Sequence, residues 1–196
     1  MTHAGEAAEL TKLIERFAAG ELCARLARAT DTRREERFAF PLASGVLVTG
    51  AIDVLARESG GRLLIVDYKS DRLDPADAAP ATAPANAADP AELVERTYAT
   101  QRLVYALAAL HAGATEVEVS YCFLEAPEAP VTTVYGVGQR AQLDARLAAL
   151  ADGVLSRRFP VSELPHRRLC AGCPAEGGLC SWPLEMTRRD APDRLF

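Results

Sequence analysis

The sequence predicts a single α/β domain followed by an irregular tail, and three observations carry that prediction. The chain has 196 residues, a length that suits one domain with one core. Apolar residues recur at helical spacing near the start, in the middle and over 139–159, with strand-like runs between them. The resulting order is helix, strands, helix, strands, helix, which is that of an α/β fold. The expected partition is one domain over 1–196: an N-terminal helix in 1–30, a core in 31–159 with a flexible loop at 74–89, and a cysteine-bearing tail in 160–196.

Each element has its own signal. Leu10, Leu13, Ile14 and Phe17 recur at helical spacing, and Leu22 and Leu26 continue the face past Gly20, predicting a helix over 6–29. The stretch RREERFAFPL leads into a predicted β-hairpin. One strand runs from Val46 to Leu55, Ser59-Gly60-Gly61 turns the chain, and Leu63 to Val66 form a buried strand. The alanine- and proline-rich segment that follows has no periodicity and reads as a loop. Asp89-Pro90 starts the next helix, as N-cap and first residue, and Gly113 ends it. EVEVSYCFL and VTTVYGV alternate as strands, and QRAQLDARLAALADGVLSRRF returns to helix.

Composition narrows the setting. No apolar run reaches the roughly 18 residues of a membrane span. The N-terminus lacks a basic stretch followed by an apolar one, so no secretory signal is read and the cytoplasm is the expected compartment. The net charge of -5 neither favours nor excludes a nucleic-acid partner, because a site that gathers cations is itself acidic. The pairs Arg157-Arg158, Arg167-Arg168 and Arg188-Arg189 read as a solvated basic surface. Of 22 basic residues only Lys12 and Lys69 are lysine, which leaves 20 arginines. A lysine kept where arginine is habitual points to use of its compact ammonium.

Lys69 is where the chemistry concentrates. Asp67 precedes it by two residues, so on a strand both project from one face. Asp53 lies fourteen residues before Asp67 on the partner strand, and pairing at the open ends of the two strands brings the carboxylates together. Adjacent carboxylates repel unless a cation sits between them. A hard ion such as Mg2+ takes oxygen ligands, binds phosphate oxygens and acidifies water. The lysine would orient the attacking water or stabilise charge on phosphorus. The plain alternative is a surface salt bridge between Asp67 and Lys69 beside an unrelated Asp53. The apolar run LLIV before Asp67, the aspartate on the preceding strand and the helix that follows favour the site. That helix carries Tyr98, Gln101 and Tyr105 at i, i+3 and i+7, on one face; a half-buried amphipathic stripe is the plain alternative.

Together, G-x-I-D, I-V-D-Y-K-S and Y-x2-Q-x3-Y resemble the nuclease domain of RecB- and AddB-like proteins of the PD-(D/E)XK superfamily, over about Phe17 to Leu124. The resemblance implies a restriction-endonuclease-like core, with a mixed sheet flanked by helices. It implies Mg2+ or Mn2+ held by Asp53, Asp67 and the carbonyl of Tyr68, with Lys69 as the catalytic lysine. Gln101, Tyr98 and Tyr105 would line the DNA-facing side, and Glu35 matches an acidic position of such domains. The implied activity is hydrolysis of DNA, exonuclease-like, in a helicase-nuclease that processes double-strand breaks, with a helicase domain or subunit as partner. Relatives usually carry a metal-binding histidine in an upstream helix. Only sixteen residues precede Phe17, and His3 in THAGEA does not match that motif. The sequence is therefore expected to be a fragment or a reduced form. The alternative function is a catalytically impaired module that binds DNA or scaffolds a subunit.

The tail holds Cys170, Cys173 and Cys180. In a cytosolic chain clustered thiols point to metal rather than disulfides. The resemblance implies a 4Fe-4S cluster with Cys23 as the fourth ligand, and zinc held by His166, Cys170, Cys173 and Cys180 is the alternative. No metal at all is the third reading. Cys122 on a strand reads as a core thiol, and His111 near a helix end reads as a capping or surface residue.

Overall fold

The computed structural model describes residues 3–71, 73, 89–158 and 161–191, with the side chains of 3–6 left aside. The expected loop at 74–89 lies outside the described residues except for Asp89. The chain forms two compact units, Met1–Leu150 and Ala151–Phe196.

The first unit is built on a five-stranded mixed sheet in the order β1-β2-β3-β4-β5, with flanking helices, as the fold prediction requires. Its strands are β1 (Asp31–Pro41), β2 (Leu47–Arg57), β3 (Leu63–Lys69), β4 (Glu116–Phe123) and β5 (Val131–Gly136). Only β3 and β4 run parallel. Parallel neighbours need a long crossover. It is the segment that includes α3 (Pro90–Leu93), a π-helical turn at Val94–Tyr98 and α4 (Ala99–His111). Asp89 caps α3 through Ala91 N–H at 2.9 Å, and Gly113 ends the crossover with a φ of 95°. Ser59-Gly60-Gly61 turns the β2–β3 hairpin with both glycines left-handed.

Alternation along β3 assigns the two faces. Leu64 and Val66 pack with Leu22, Val54, Ala56 and Cys122 under Phe17, Leu26 and Tyr68. Asp67 points the other way, where Tyr105 of α4 reaches it. Helices therefore cover both faces, and Cys122 is the buried core thiol that was expected.

Three local expectations need correction. The N-terminal helix is two helices, α1 (His3–Ala18) and α2 (Glu21–Arg28), because Gly20 is extended (φ -81°, ψ 156°). The apolar face survives the break, since Phe17, Leu22 and Leu26 still reach one core. Second, RREERFAFPL is most of β1, paired to β2 over ten registered positions. Third, Asp53 lies in the middle of β2 and not near its end. The β2–β3 ladder stops at Val54↔Val66, while β1–β2 continues to Pro41↔Leu47. A two-stranded arm thus runs past Asp53 by six residues, about 20 Å at strand rise.

The arm begins at a break in alternation. Val54 packs toward α2, yet Ile52, two residues earlier, lines a cleft with Phe38, Leu55 and His111 on the α4 side. The β1–β2 register skips Glu35 and Asp53, and Glu35 adopts a left-handed φ of 51°. Both strands roll over at that row.

The second unit holds α6 (Arg167–Cys170) and α7 (Leu184–Thr187); α5 (Arg140–Leu155) spans the boundary between the units. Its arginine pairs lie on the expected exposed surface, with Arg189 half-buried, and several are tied by local contacts. Arg167 pairs with Asp190 at 2.6 Å, Arg188 meets Glu176 at 3.3 Å, and Arg189 donates to the Pro165 carbonyl at 2.7 Å.

Candidate active site

The buried run Leu63–Val66 carries Asp67 into the interior, at 2% exposure, before the strand emerges at Lys69. Two-residue alternation sets Asp67 and Lys69 on one face, and Lys69 Nζ lies 2.5 Å from Asp67 Oδ1. That approach is out of line for a hydrogen bond, so Oδ1 has an ion-pair neighbour but no aligned donor. The α4 face completes a closed circuit. Lys69 Nζ donates to Gln101 Oε1 at 3.0 Å, Gln101 Nε2 donates to Tyr105 Oη at 3.0 Å, and Tyr105 Oη donates to Asp67 Oδ2 at 2.9 Å.

Asp53 joins from β2. The register Val54↔Val66 places Asp53 level with Asp67, just where the ladder ends. In place of a ladder bond, Asp53 Oδ2 accepts the Tyr68 N–H at 3.0 Å. Burial pushes the Asp67 carboxyl above its ordinary range. Lys69 and Tyr105 pull it back, and the Asp53 charge adds to the upward push. The Tyr105 phenol is raised by burial and by Asp67, so it stays a donor.

Tyr98 lies on the other side of the lysine. Lys69 Nζ sits 4.0 Å from the Tyr98 ring centre and 5.3 Å from that of Tyr121. Cations are drawn to aromatic faces at such distances. Thus Asp53, Asp67, Lys69, Gln101, Tyr98 and Tyr105 converge. Glu35 occupies the position across β1 from Asp53, exposed and outside the circuit.

Two residues of this assembly escaped the sequence reading. Asp71 accepts the Tyr98 hydroxyl at 2.7 Å, and the alternation Asp67, Lys69, Asp71 could have marked it. Tyr121 sits beside Asp67 through the parallel register of β4 on β3; no local signal announces that pairing.

The carboxylates fit a hard divalent cation. Among the described residues Asp67 Oδ1 is a buried oxygen without an aligned donor, and Asp53 accepts through Oδ2 alone. Among the described residues no three His, Cys, Asp or Glu side chains form a metal cage. A cation here would complete its shell with backbone or water oxygens. The tail thiols are likewise ungrouped. Cys173 is exposed, Cys170 and Cys180 are half-buried, and His166 is buried with Nδ1 unpartnered. Cys23 is half-buried on α2. His111 is half-buried in the last turn of α4, where Nε2 meets Asp144 at 2.8 Å and the ring stacks on Phe40 at 4.9 Å.

The family model of the PD-(D/E)XK nuclease superfamily matches residues 2–178. No protein with a curated function matches the sequence. Among solved structures, SSO0001 is similar at 14% identity and a TM-score of 0.37, over 80% of this chain and 60% of that one. A protein named "Putative exonuclease" from Eubacterium rectale is similar at 14% identity and a TM-score of 0.38, over 83% of this chain and 64% of that one. The chain thus spans less than two thirds of the length of either structure. By its family match the chain belongs to the PD-(D/E)XK nuclease superfamily.

Proposed function

We propose that this superfamily member hydrolyses DNA phosphodiester bonds with Mg2+ or Mn2+, using Asp53, Asp67, Lys69 and Gln101. The observation that carries the reading is the Asp67–Lys69–Gln101–Tyr105 circuit beside Asp53, with Asp67 Oδ1 buried and unaligned. A cation held by Asp53, Asp67 and the Tyr68 carbonyl would supply Lewis-acid polarisation of the phosphodiester and acidify a water. Tyr105 aims the Asp67 carboxylate by holding Oδ2, leaving Oδ1 beside the Lys69 ammonium. Gln101 fixes the lysine, whose ammonium stabilises the charge that develops on the phosphate. Asp53 is oriented by the Tyr68 N–H.

The test is cleavage of linear and circular DNA by the purified chain during a metal titration. Asp67→Ala and Lys69→Ala are expected to lower turnover by about a thousandfold or more, comparable to the loss of a main electrostatic group. Undiminished cleavage by both variants would overturn the reading. A wild-type chain inert at every metal concentration would favour the impaired, DNA-binding alternative.

The RecB-like setting belongs to the same proposal: a nuclease domain working with a helicase domain or subunit in double-strand break repair. It rests on the motif spacing alone. A stable complex with a helicase, or helicase motifs in the same reading frame, would support it. A cluster on Cys23, Cys170, Cys173 and Cys180 rests on the resemblance, and zinc on His166 and the three tail cysteines rests on ligand spacing. Metal analysis and visible absorbance of protein purified without oxygen distinguish cluster, zinc and neither.

A further inference from the structure

We propose that Asp71 and Tyr98 are positioning residues that hold the Lys69 ammonium in place when Asp67 turns to a cation. This rests on the metal-dependent reading above and adds a question that reading leaves open. Among the described residues Lys69 has two polar partners, Asp67 Oδ1 at 2.5 Å and Gln101 Oε1 at 3.0 Å. With Asp67 Oδ1 holding a cation, Lys69 would lose the first. A lysine on a four-carbon stem, left with one neutral acceptor, would then sample many rotamers.

The aromatic side of the pocket supplies the missing restraint. The Tyr98 ring lies 4.0 Å from Nζ, and its hydroxyl donates to Asp71 Oδ2 at 2.7 Å. Tyr98 is further braced by Tyr121, whose ring stacks at 5.6 Å and 23°, and whose hydroxyl donates to the Tyr98 carbonyl at 3.3 Å. Burial first, and Asp71 second, push the Tyr98 phenol up to about 12. It therefore remains a donor to Asp71 at neutral pH. Asp71 is two residues beyond Lys69, so the anchor of the ring is tied to the strand that bears the lysine. The ring attracts the ammonium without offering an oxygen for which a metal ion would compete.

The presence of only two lysines makes the test direct. Selective 13C labelling at the lysine ε-carbon gives two signals, with exposed Lys12 as internal reference. Lys69 ε-protons are expected upfield of those of Lys12, with and without Mg2+. Tyr98→Leu should remove most of the upfield shift. Tyr98→Phe and Asp71→Ala keep a ring but free it, and should lose about half the shift or more once Mg2+ is added. Asp71→Asn keeps an acceptor oxygen and should restore it. In parallel, kcat of Asp71→Ala should fall about tenfold with KM for DNA within about twofold, as for a misplaced group.

A wild-type Lys69 shift and kcat in both Asp71→Ala and Tyr98→Phe with Mg2+ would overturn the proposal. So would a loss of shift that Asp71→Asn fails to restore. If Tyr98→Leu does not fold, the near-isosteric Tyr98→Phe and Asp71→Asn decide. If the wild-type chain cleaves nothing and Mg2+ moves neither lysine signal, the nuclease reading fails by itself. The metal-free spectra of Asp67→Ala with and without Asp71→Ala then judge the positioning role, because Asp67 no longer holds the ammonium there: a shift lost on adding Asp71→Ala supports it and a retained shift overturns it.

Discussion

Opposite ends of the sheet hold similar charges to opposite effect. At the end where β3 begins, Arg25 of α2 forks onto two carboxylates. Nε and Nη2 bind Glu58 at 2.8 and 3.0 Å, and Nη1 and Nη2 bind Glu118 at 2.6 and 3.0 Å. Every carboxylate oxygen has a donor, and the Arg25 hydrogen bond holds the Glu58 carboxyl below its ordinary value. At the end where β3 stops, Lys69 meets Asp67 off-line, one oxygen stays unaligned, and burial drives that carboxyl upward. A planar guanidinium can satisfy four oxygens at once; a single ammonium cannot. The first arrangement is complete as it stands, whereas the second is completed by something that arrives.

Substitutions can break this contrast. The largest stability effect should come from Arg25→Ala, which removes the two-pronged partner of Glu58 and leaves Glu118, at 7% side-chain exposure, with Arg62 at 3.5 Å. A loss of about 3 kcal/mol is expected in urea unfolding, in line with removing one partner of a buried ion pair. Gly50→Ala comes next. A Cβ there would lie 2.5 Å from the Phe38 ring, which packs edge-on against Tyr105. The overlap should cost about 1–3 kcal/mol and lower cleavage by shifting Tyr105.

Replacing carboxylate by amide at the two ends should have opposite signs. Asp67→Asn removes a charge that burial disfavours, so a Tm rise worth about 1 kcal/mol is expected together with loss of cleavage. Glu58→Gln should instead destabilise by about 1 kcal/mol near neutral pH. Because the folded pKa of Glu58 is depressed, its contribution is present above the unfolded value and lost as pH falls through the folded one. Below that point Glu58→Gln and the parent should converge in stability. Equal signs for the two amide variants would refute the contrast. The smallest effect should be Glu35→Gly, which relieves a left-handed φ of 51° by about 1 kcal/mol or less.

What the sequence disclosed follows from how local each signal is. Asp67 and Lys69 stood out because LLIV and two-residue alternation lie within one strand. Tyr98, Gln101 and Tyr105 stood out because one helix face holds them. β1 was hidden because it is an edge strand, and DTRREER carries the charges that keep such edges from pairing with other chains. Its neighbour β2 betrays nothing of the roll at Asp53, which lies at the row where the ladder skips a left-handed Glu35. Tyr121 was hidden because its partner in the ladder, Asp67, lies 54 residues earlier. The break at Gly20 was missed because the apolar spacing survives it. Periodicity reports which residues meet the core, not whether the backbone between them is continuous.

The π-helical turn at Val94–Tyr98 also bears on how the chain tolerates change in length. Such a turn accommodates one more residue than an α-helical turn, and each residue rotates a helix by about 100° and advances it about 1.5 Å. A deletion absorbed there would re-aim Asp89 and α3 while leaving Gln101 and Tyr105 seated on Lys69 and Asp67. The same deletion placed after Tyr98 would turn those side chains away from the strand. Indel scanning of 90–105 would therefore be expected to find a permissive stretch that ends abruptly at Tyr98.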